Sequence, residues 1–159
     1  MRRKDREITD KSLIDGIIDR CPVLRVGMYD KEAARPYVLP VSFGWERIED
    51  EWCFYFHCAK VGYKLELIER DSRVCVELDR FAGYGGTGSD STTWYESCIG
   101  FGEAALVSGD EARHGLELLM AHCEREGQEF SSCLDHTAVV CLRVRELSGK
   151  SNLSDKPRA

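Results

Sequence analysis

The sequence Phe54-Tyr55-Phe56-His57-Cys58-Ala59-Lys60-Val61-Gly62-Tyr63-Lys64 carries the main structural signal of this chain. A strongly hydrophobic strand pattern over 52–58 passes into a glycine and then into a helical pattern over 62–70. Because strand side chains alternate between two faces, the predicted faces are Phe54, Phe56 and Cys58 on one side, and Cys53, Tyr55 and His57 on the other. The helix is expected to turn Leu65 and Ile68 inward.

The turn between this strand and this helix is a candidate anion site. The first turn of a helix presents N–H groups that lack helical partners, together with a partial positive charge. Lys60 and Lys64 stand four residues apart and can flank the same point. Amide and ammonium donors together suit a phosphate monoester. The residues alone leave open a plain turn with solvated lysines, because the sequence has no Gly-x-Gly-x-x-Gly before a helix and no Walker loop.

The sequence before this stretch predicts a helix and two strands. Over 8–21, apolar residues recur at helical spacing, Thr9 or Asp10 can cap the start, and Pro22 ends the helix. Strands are predicted over 23–29 and 36–45. Pro40 falls inside the second strand, where a proline requires a sheet edge, a bulge or a ligand-facing gap.

The sequence after this stretch predicts three strands and one helix. The strands are predicted over 73–79, 92–107 and 137–147. Gly100 and Gly102 indicate a bulge or a close approach within 92–107. Ser108 and Glu111 fit a capping box for a helix that ends near Cys123. A mobile Gly/Ser-rich loop is expected over 81–91, another loop over 124–135, and a frayed tail from about residue 148.

These elements predict a mainly β protein: a six-stranded antiparallel barrel with three peripheral helices. Hairpin-length connections between the central strands favour this architecture over a doubly wound parallel sheet. The length of 159 residues is typical of one domain, so we expect a single domain over 1–159.

Composition excludes several classes of function. The net charge of −6 disfavours binding to nucleic acid or to anionic membranes. No apolar run approaches the roughly 20 residues of a membrane span, and the charged start is not followed by an apolar signal core, so we expect a cytoplasmic protein. The sequence lacks a nucleophile elbow, which disfavours a hydrolase.

The cysteines and histidines do not predict a metal site. None of the eight cysteines forms a Cys-x-x-Cys pair, so we expect reduced thiols that mainly fill the core. His114 and His122 lie eight residues apart, too far for a one-turn metal pair, and are expected at the surface. His57 can be a proton donor beside the anion site or a core histidine that bonds a carbonyl.

Several stretches, in this order along the chain, carry a family resemblance: 1–8 (Met-Arg-Arg-Lys-Asp-Arg-Glu-Ile), 36–44 (Pro-Tyr-Val-Leu-Pro-Val-Ser-Phe-Gly), 54–64 with Leu67, 97–104 (Ser-Cys-Ile-Gly-Phe-Gly-Glu-Ala) and 146–150 (Glu-Leu-Ser-Gly-Lys). Together they cover nearly the whole chain. The chain resembles the pyridoxamine 5′-phosphate oxidase-like superfamily and is most similar to its nitroimidazole-resistance (Nim-type) branch. The resemblance implies a split β-barrel of the FMN-binding type, a homodimer, and FMN at the dimer interface, with FAD as an alternative.

The resemblance also assigns site residues. It implies that the flavin ring is lined by backbone groups of Leu39, Pro40, Val41 and Ser42. His57, Cys58 and Ala59 would lie beside the ribityl chain and ring, and Gly62 and Lys64 would hold the phosphate. Ser97, from the partner subunit or a neighbouring strand, would reach the ring edge, and Trp94 would cover it.

The expected activity is an FMN-dependent oxidoreductase that reduces nitro-aromatic or other small substrates, with His57 as the catalytic residue. Cys58 stands where a serine is common in relatives, and Tyr63 replaces an arginine of the oxidase branch. The residues with which true oxidases grip vitamin B6 near the C-terminus are not recognisable. A non-catalytic flavin-binding store or sensor, and a split barrel that binds haem or deazaflavin, are the alternatives.

Overall fold

The computed structural model describes residues 3–124 and 136–153. Met1, Arg2, Cys133 and nearly all of the predicted 124–135 loop lie outside these residues. The described strands are β1 (Glu7–Ile8), β2 (Leu24–Asp30), β3 (Arg35–Val41), β4 (Gly44–Ile48), β5 (Glu51–Ala59), β6 (Arg73–Gly85), β7 (Thr92–Val107) and β8 (Thr137–Ser151). The described helices are α1 (Lys11–Asp19), α2 (Tyr63–Arg70) and α3 (Gly109–His122), with short 3₁₀ turns at Lys4–Arg6 and Gly88–Asp90.

The strands form one antiparallel sheet whose order explains the barrel. The order is β3-β2-β6-β7-β8-β5-β4, and β1 pairs with the end of β8. β3 and β4 lie at opposite ends of this order, yet only Ser42 and Phe43 connect them. Two residues span at most about 10 Å, so the sheet must curl until its ends nearly meet. The result is the predicted mainly β split barrel, with the split between β3 and the β4–β5 hairpin.

The hydrophobic core fills the inside of this curled sheet. The inward residues of the strands alternate as predicted, because Phe54, Phe56 and the half-buried Cys58 all face the core. Helices close the barrel with buried aliphatic side chains: Ile14, Ile17 and Ile18 from α1, and Leu65, Leu67 and Ile68 from α2. Asp10 caps α1, since its carboxylate accepts hydrogen bonds from the Ser12 and Leu13 amides at 2.8 and 3.1 Å. A cap at Thr9 or Asp10 was expected, and Asp10 is the residue that forms it.

Helix α3 covers the outer face of β4, β5 and β8. Its Ala112 and Leu116 pack on Val139, and its Gly115 faces the Tyr55 ring, where an added Cβ would stand 2.5 Å from Cδ1. Within the described residues, no helix covers the outer face of β3, β2 and β6, and α3 reaches β7 at its last residue, Val107. Each described helix also falls short of the length and hydrophobicity needed to cross a bilayer.

Two strand predictions were wrong. The single strand predicted over 36–45 is two strands, because the chain leaves β3 after Val41 and crosses the split before β4 pairs with β5. This and the short β1 raise the six predicted strands to eight. The 81–91 segment is not a simple loop, because β6 continues to Gly85 and pairs with β7 past a bulge between Phe81 and Gly83. Gly85 is required there for packing, since a Cβ would stand 2.1 Å from Trp94 Nε1.

Two predictions about chain ends and caps were also wrong. The tail does not fray at residue 148, because β8 continues to the buried Ser151 between β1 and β7. No side chain caps α3 at Ser108. Glu111 instead accepts a hydrogen bond of 2.6 Å from Arg143. The bulge predicted near Gly100 and Gly102 is confirmed by the register shift between Phe101 and Gly102.

Candidate functional site

The exposed edge of β3 forms one side of the split. β3 is an edge strand of the sheet and pairs only with β2. Every second residue of β3 therefore directs its backbone N–H and C=O groups away from β2. Leu39 is buried, Val41 packs against the core, and Pro40 faces outward opposite Arg25. The edge position of Pro40 confirms one of the three settings expected for that proline. A planar ligand can therefore meet backbone groups here that no strand of the described chain uses.

The corner where β5 passes into α2 forms the other side. Gly62 has φ +143°, a value that favours glycine, and an added Cβ there would meet nothing within 4 Å. The space before the first turn of α2 is therefore open. Burial raises the pKa of the Cys58 thiol, while the positive charge of Lys64 acts against this rise. The positive charge of Lys64 therefore lies near enough to the Cys58 thiol to act on it.

Tyr63 has a structural role that the sequence did not reveal. Its hydroxyl donates to the Asp30 carboxylate, and its ring makes an edge contact with Tyr37, with centroids 5.1 Å apart. The hydrogen bond from Tyr63 lowers the pKa of Asp30 and raises the pKa of Tyr63 itself. Arg35 lies close enough to act on both groups. The start of α2 is therefore tied to the β2–β3 turn. The only sequence feature that could have indicated this role was the position of Asp30 at the end of a predicted strand, directly before a polar turn.

Ser42 and His57 line a common cleft of about 750 Å³ with the ends of α1 and α3. His57 is exposed, and its imidazole has no hydrogen-bond partner within residues 3–124 and 136–153. His122 was expected at the surface, but it is half-buried on Phe43 and its Nε2 lies 3.0 Å from the Cys21 carbonyl oxygen. His114 is exposed, as expected, beside Glu46. His57 is thus the histidine that is free to meet a ligand in this cleft.

The structure does not bring every predicted site residue into one place within a single chain. Ser97 lies on β7, three strands from β3, which corresponds to about 14 Å at the usual strand spacing. The Trp94 ring lies against Gly85 in the β6–β7 hairpin. Neither residue lines the cleft. Their contact with a flavin stays a prediction about the partner subunit.

The described cysteines are free thiols. Four of them are buried, as the core role predicts (Cys21, Cys53, Cys98 and Cys141), and three are half-buried (Cys58, Cys75 and Cys123). Cys21 and Cys98 are fully buried, and burial raises their pKa values to about 11 and about 12. Such thiols are poor nucleophiles near neutral pH. Among the residues that the structure describes, no group of three or more metal-ligating side chains comes together.

The sequence over residues 10–151 matches the family model described as pyridoxamine 5′-phosphate oxidase. The chain belongs to this flavin-binding family. No functionally curated protein matches the sequence.

Solved structures agree with this assignment. A Bacteroides thetaiotaomicron protein described as a 5-nitroimidazole antibiotic resistance protein is 28% identical, with a TM-score of 0.77 over 91% of this chain and 85% of that one. The FAD and haem binding protein of Mycobacterium smegmatis is 18% identical, with a TM-score of 0.76 over 97% and 77% of the two chains. The flavocytochrome Anf3 of Azotobacter vinelandii is 21% identical, with a TM-score of 0.73 over 95% and 72%. The last two comparisons show the shared fold.

Proposed function

We propose that this protein is an FMN-dependent oxidoreductase that reduces small substrates such as nitro-aromatic compounds. The observation that carries this proposal is the open corner at Gly62 with Lys64 beside it, next to the free edge of β3. Family membership and the similarity to the Bacteroides protein, described as a 5-nitroimidazole resistance protein, support the choice of cofactor and substrate class.

The residues of the corner fit a flavin phosphate. The backbone is accessible where α2 begins, because Gly62 carries no side chain and nothing lies within 4 Å of where its Cβ would stand. Lys64 adds a positive charge on the same side. Oriented amides and an ammonium group are the usual partners of a phosphate monoester. Lys64 therefore neutralises the phosphate, and Gly62 admits it to the backbone.

The edge of β3 fits the flavin ring. Backbone groups at Leu39, Pro40, Val41 and Ser42 supply donors and acceptors along one line, and Cys58 and Ala59 lie at the end of β5 across the split. When bound, the flavin supplies the electron transfer, whereas the protein binds, orients and shields it.

His57 is the residue best placed to move a proton. Its imidazole is exposed in the cleft that also contains Ser42, and no described side chain competes for it. Reduction of a nitro group consumes protons as well as electrons, so an imidazole near the ring can donate one to the substrate. This open imidazole favours an enzyme over a passive flavin store.

A second copy of the chain completes the proposed site. The outer face of β3, β2, β6 and β7 exposes large apolar side chains, and a groove of about 700 Å³ runs across it. These exposed residues are Tyr29, Val38, Ile99 and Phe101. Monomeric proteins rarely expose a large apolar patch without function. The same groove also holds Arg25 beside Glu77 and Asp79, so it carries both positive and negative groups for a contact with a second copy of itself. We therefore propose a homodimer through this face.

In this dimer, Trp94 and Ser97 of one subunit contact the flavin held by the other. Both lie in the first half of β7, just before the exposed Ile99 and Phe101 of the apolar face. We also propose a cytoplasmic location, because the described cysteines are free thiols and such thiols are typical of a reducing compartment.

Substitution of Lys64 tests the phosphate site. Lys64→Ala should weaken FMN about 10- to 100-fold, because a hydrogen bond to a charged group contributes about 1.5–3 kcal/mol. Riboflavin lacks the phosphate and should bind the variant as well as it binds the wild type. Lys11→Ala is the control: Lys11 begins α1 and pairs with Asp50 in the turn between β4 and β5, so this variant should leave both affinities unchanged. Equal losses of FMN and riboflavin would contradict a phosphate role for Lys64.

Activity is tested on the purified protein. The flavin band should bleach with NADPH or NADH in the absence of oxygen and return on addition of a nitro-aromatic compound. His57→Gln should slow the return with little effect on FMN binding. Bleaching by no reductant would favour the non-catalytic flavin binder. The mass of the small molecule released on denaturation identifies FMN, FAD or haem.

A further inference from the structure

A second cationic corner lies at the far end of β8, on the outer side of the sheet. Lys150 is directly opposite Ser97 on β7, so both side chains project from the same face. The Lys150 ammonium lies 5.6 Å from the centre of the Tyr95 ring, which belongs to this face too. β8 also pairs with β1, where Glu7 is opposite Lys150. Arg6 directly precedes Glu7 in the chain.

Within the described residues, Arg6 makes only a long ion-pair contact with a carboxylate, and Lys150 makes none. Asp5 is engaged by Arg3 through two hydrogen bonds of 2.6 and 2.8 Å, and its nearest oxygen lies 4.0 Å from Arg6 Nε. That Nε is buried, and among residues 3–124 and 136–153 it has no hydrogen-bond partner. Within the described residues, no carboxylate lies within 4.0 Å of the Lys150 ammonium. Two half-buried cations therefore lie beside the Tyr95 phenol, and one of them, Lys150, is opposite Ser97.

The state of Tyr95 agrees with this excess of positive charge. Burial alone would raise its pKa, but Lys150 and Arg6 beside the hydroxyl outweigh burial, and the pKa of Tyr95 is lowered. Arg3 also acts on Tyr95 from a distance. The whole chain carries a net charge of −6, so this local potential opposes the bulk charge. Sheltered cations are costly without a counter-charge, which an anionic ligand would supply.

We propose that Arg6, Lys150 and the Ser97 hydroxyl form a second anion site that holds a phosphate group of a ligand. Three neighbouring segments supply a guanidinium, an ammonium and a hydroxyl, and these are the donor groups that bind phosphate oxygens. The site is separate from the Lys64 corner and does not depend on it. Two sources share this chemistry: the pyrophosphate of a dinucleotide such as FAD, reaching across the proposed dimer, and a phosphate carried by a substrate.

Inorganic pyrophosphate is the direct probe. Isothermal titration of the purified protein should show binding, and Arg6→Gln or Lys150→Met should each weaken it about tenfold or more. Lys4→Gln removes the same charge from the same 3₁₀ turn and should change the affinity less than twofold. Arg6 lies outside the sheet, so Arg6→Gln remains informative if Lys150→Met unfolds. Failure of the wild type to bind, or equal losses for Lys4→Gln, would overturn the proposal.

Flavin affinities then separate the two sources. If Lys150→Met weakens FAD more than FMN, the corner holds a dinucleotide pyrophosphate. If both flavins bind as before while pyrophosphate binding is lost, the corner holds a substrate phosphate. Because pyrophosphate binding needs neither flavin nor turnover, a failure at Lys64 would leave this test unaffected, and the two proposals can fail separately.

Discussion

The contact between Gly44 and α3 gives a prediction whose size follows from the structure. A Cβ at Gly44 would stand 2.1 Å from the Leu119 nitrogen and 2.3 Å from the Leu118 carbonyl carbon. Both are helix backbone atoms, which cannot rotate away as a side chain can. To reach an ordinary contact of 3.4 Å or more, α3 must lift off β4. Gly44→Ala therefore overpacks the interface that also forms the wall of the cleft at Ser42 and His57.

We expect Gly44→Ala to destabilise the fold by about 3 kcal/mol, the upper end of overpacking costs, because the clash is with backbone. For a domain of this size, that corresponds to a loss of about 6–12 °C in Tm. Urea and thermal unfolding measure both values. Flavin binding should also weaken under conditions where the variant is folded, because the displaced helix reshapes the cleft.

Gly16→Ala is the matched control. The same substitution in α1 meets only the flexible end of Arg20, at 3.3 Å, and the position favours alanine. It should leave stability unchanged or raise it by up to about 1 kcal/mol. If Gly44→Ala costs no more than this control, the packing of α3 on β4 described above is wrong.

Three further predictions concern stability and assembly. Glu96 is buried between the half-exposed Arg20 and Arg80, so Glu96→Gln should cost about 1–2 kcal/mol, and an unchanged urea midpoint would contradict this ion-pair role. Burial raises the Cys98 pKa from 9.0 to about 12, so only unfolded chains ionise this thiol between these values; stability should fall as the pH rises from 9 towards 12, and the fall should be smaller in Cys98→Ala. Phe101→Glu should convert dimers to monomers in light scattering while the monomer stays folded, because Phe101 is 58% exposed in the single chain. Persistent dimers would place the interface elsewhere.

The sequence predicted the regular elements well where one local signal dominated. The 92–107 strand coincides with β7, and the alternation of Phe54 and Phe56 identified the inner face of β5. It failed where a distant part of the chain decides the outcome. Gly85 suggested a loop, but the Trp94 ring packs on it, and a sequence pattern does not show that contact.

The candidate site was predicted in the same uneven way. Local signals were enough for the corner at Lys64, because strand, glycine and helix follow one another in the chain. Ser42 and His57 meet only because the sheet curls, which no short pattern encodes. The contact between Tyr63 and Asp30 joins residues far apart in sequence. The resemblance includes the segments that contain Arg6, Ser97 and Lys150, but it does not indicate that these segments meet in one corner.

The central place of β8 has a consequence for how the chain reaches its native state. β8 is synthesised after all the other strands, yet it pairs with both β5 and β7. Until it emerges from the ribosome, the nascent polypeptide holds a β4–β5 hairpin and a separate four-stranded group, each with an unsatisfied border that can recruit other chains. The sheet as a whole therefore cannot form until β8 is available, and a nonsense mutation before residue 137 should yield insoluble inclusion bodies rather than a smaller working protein.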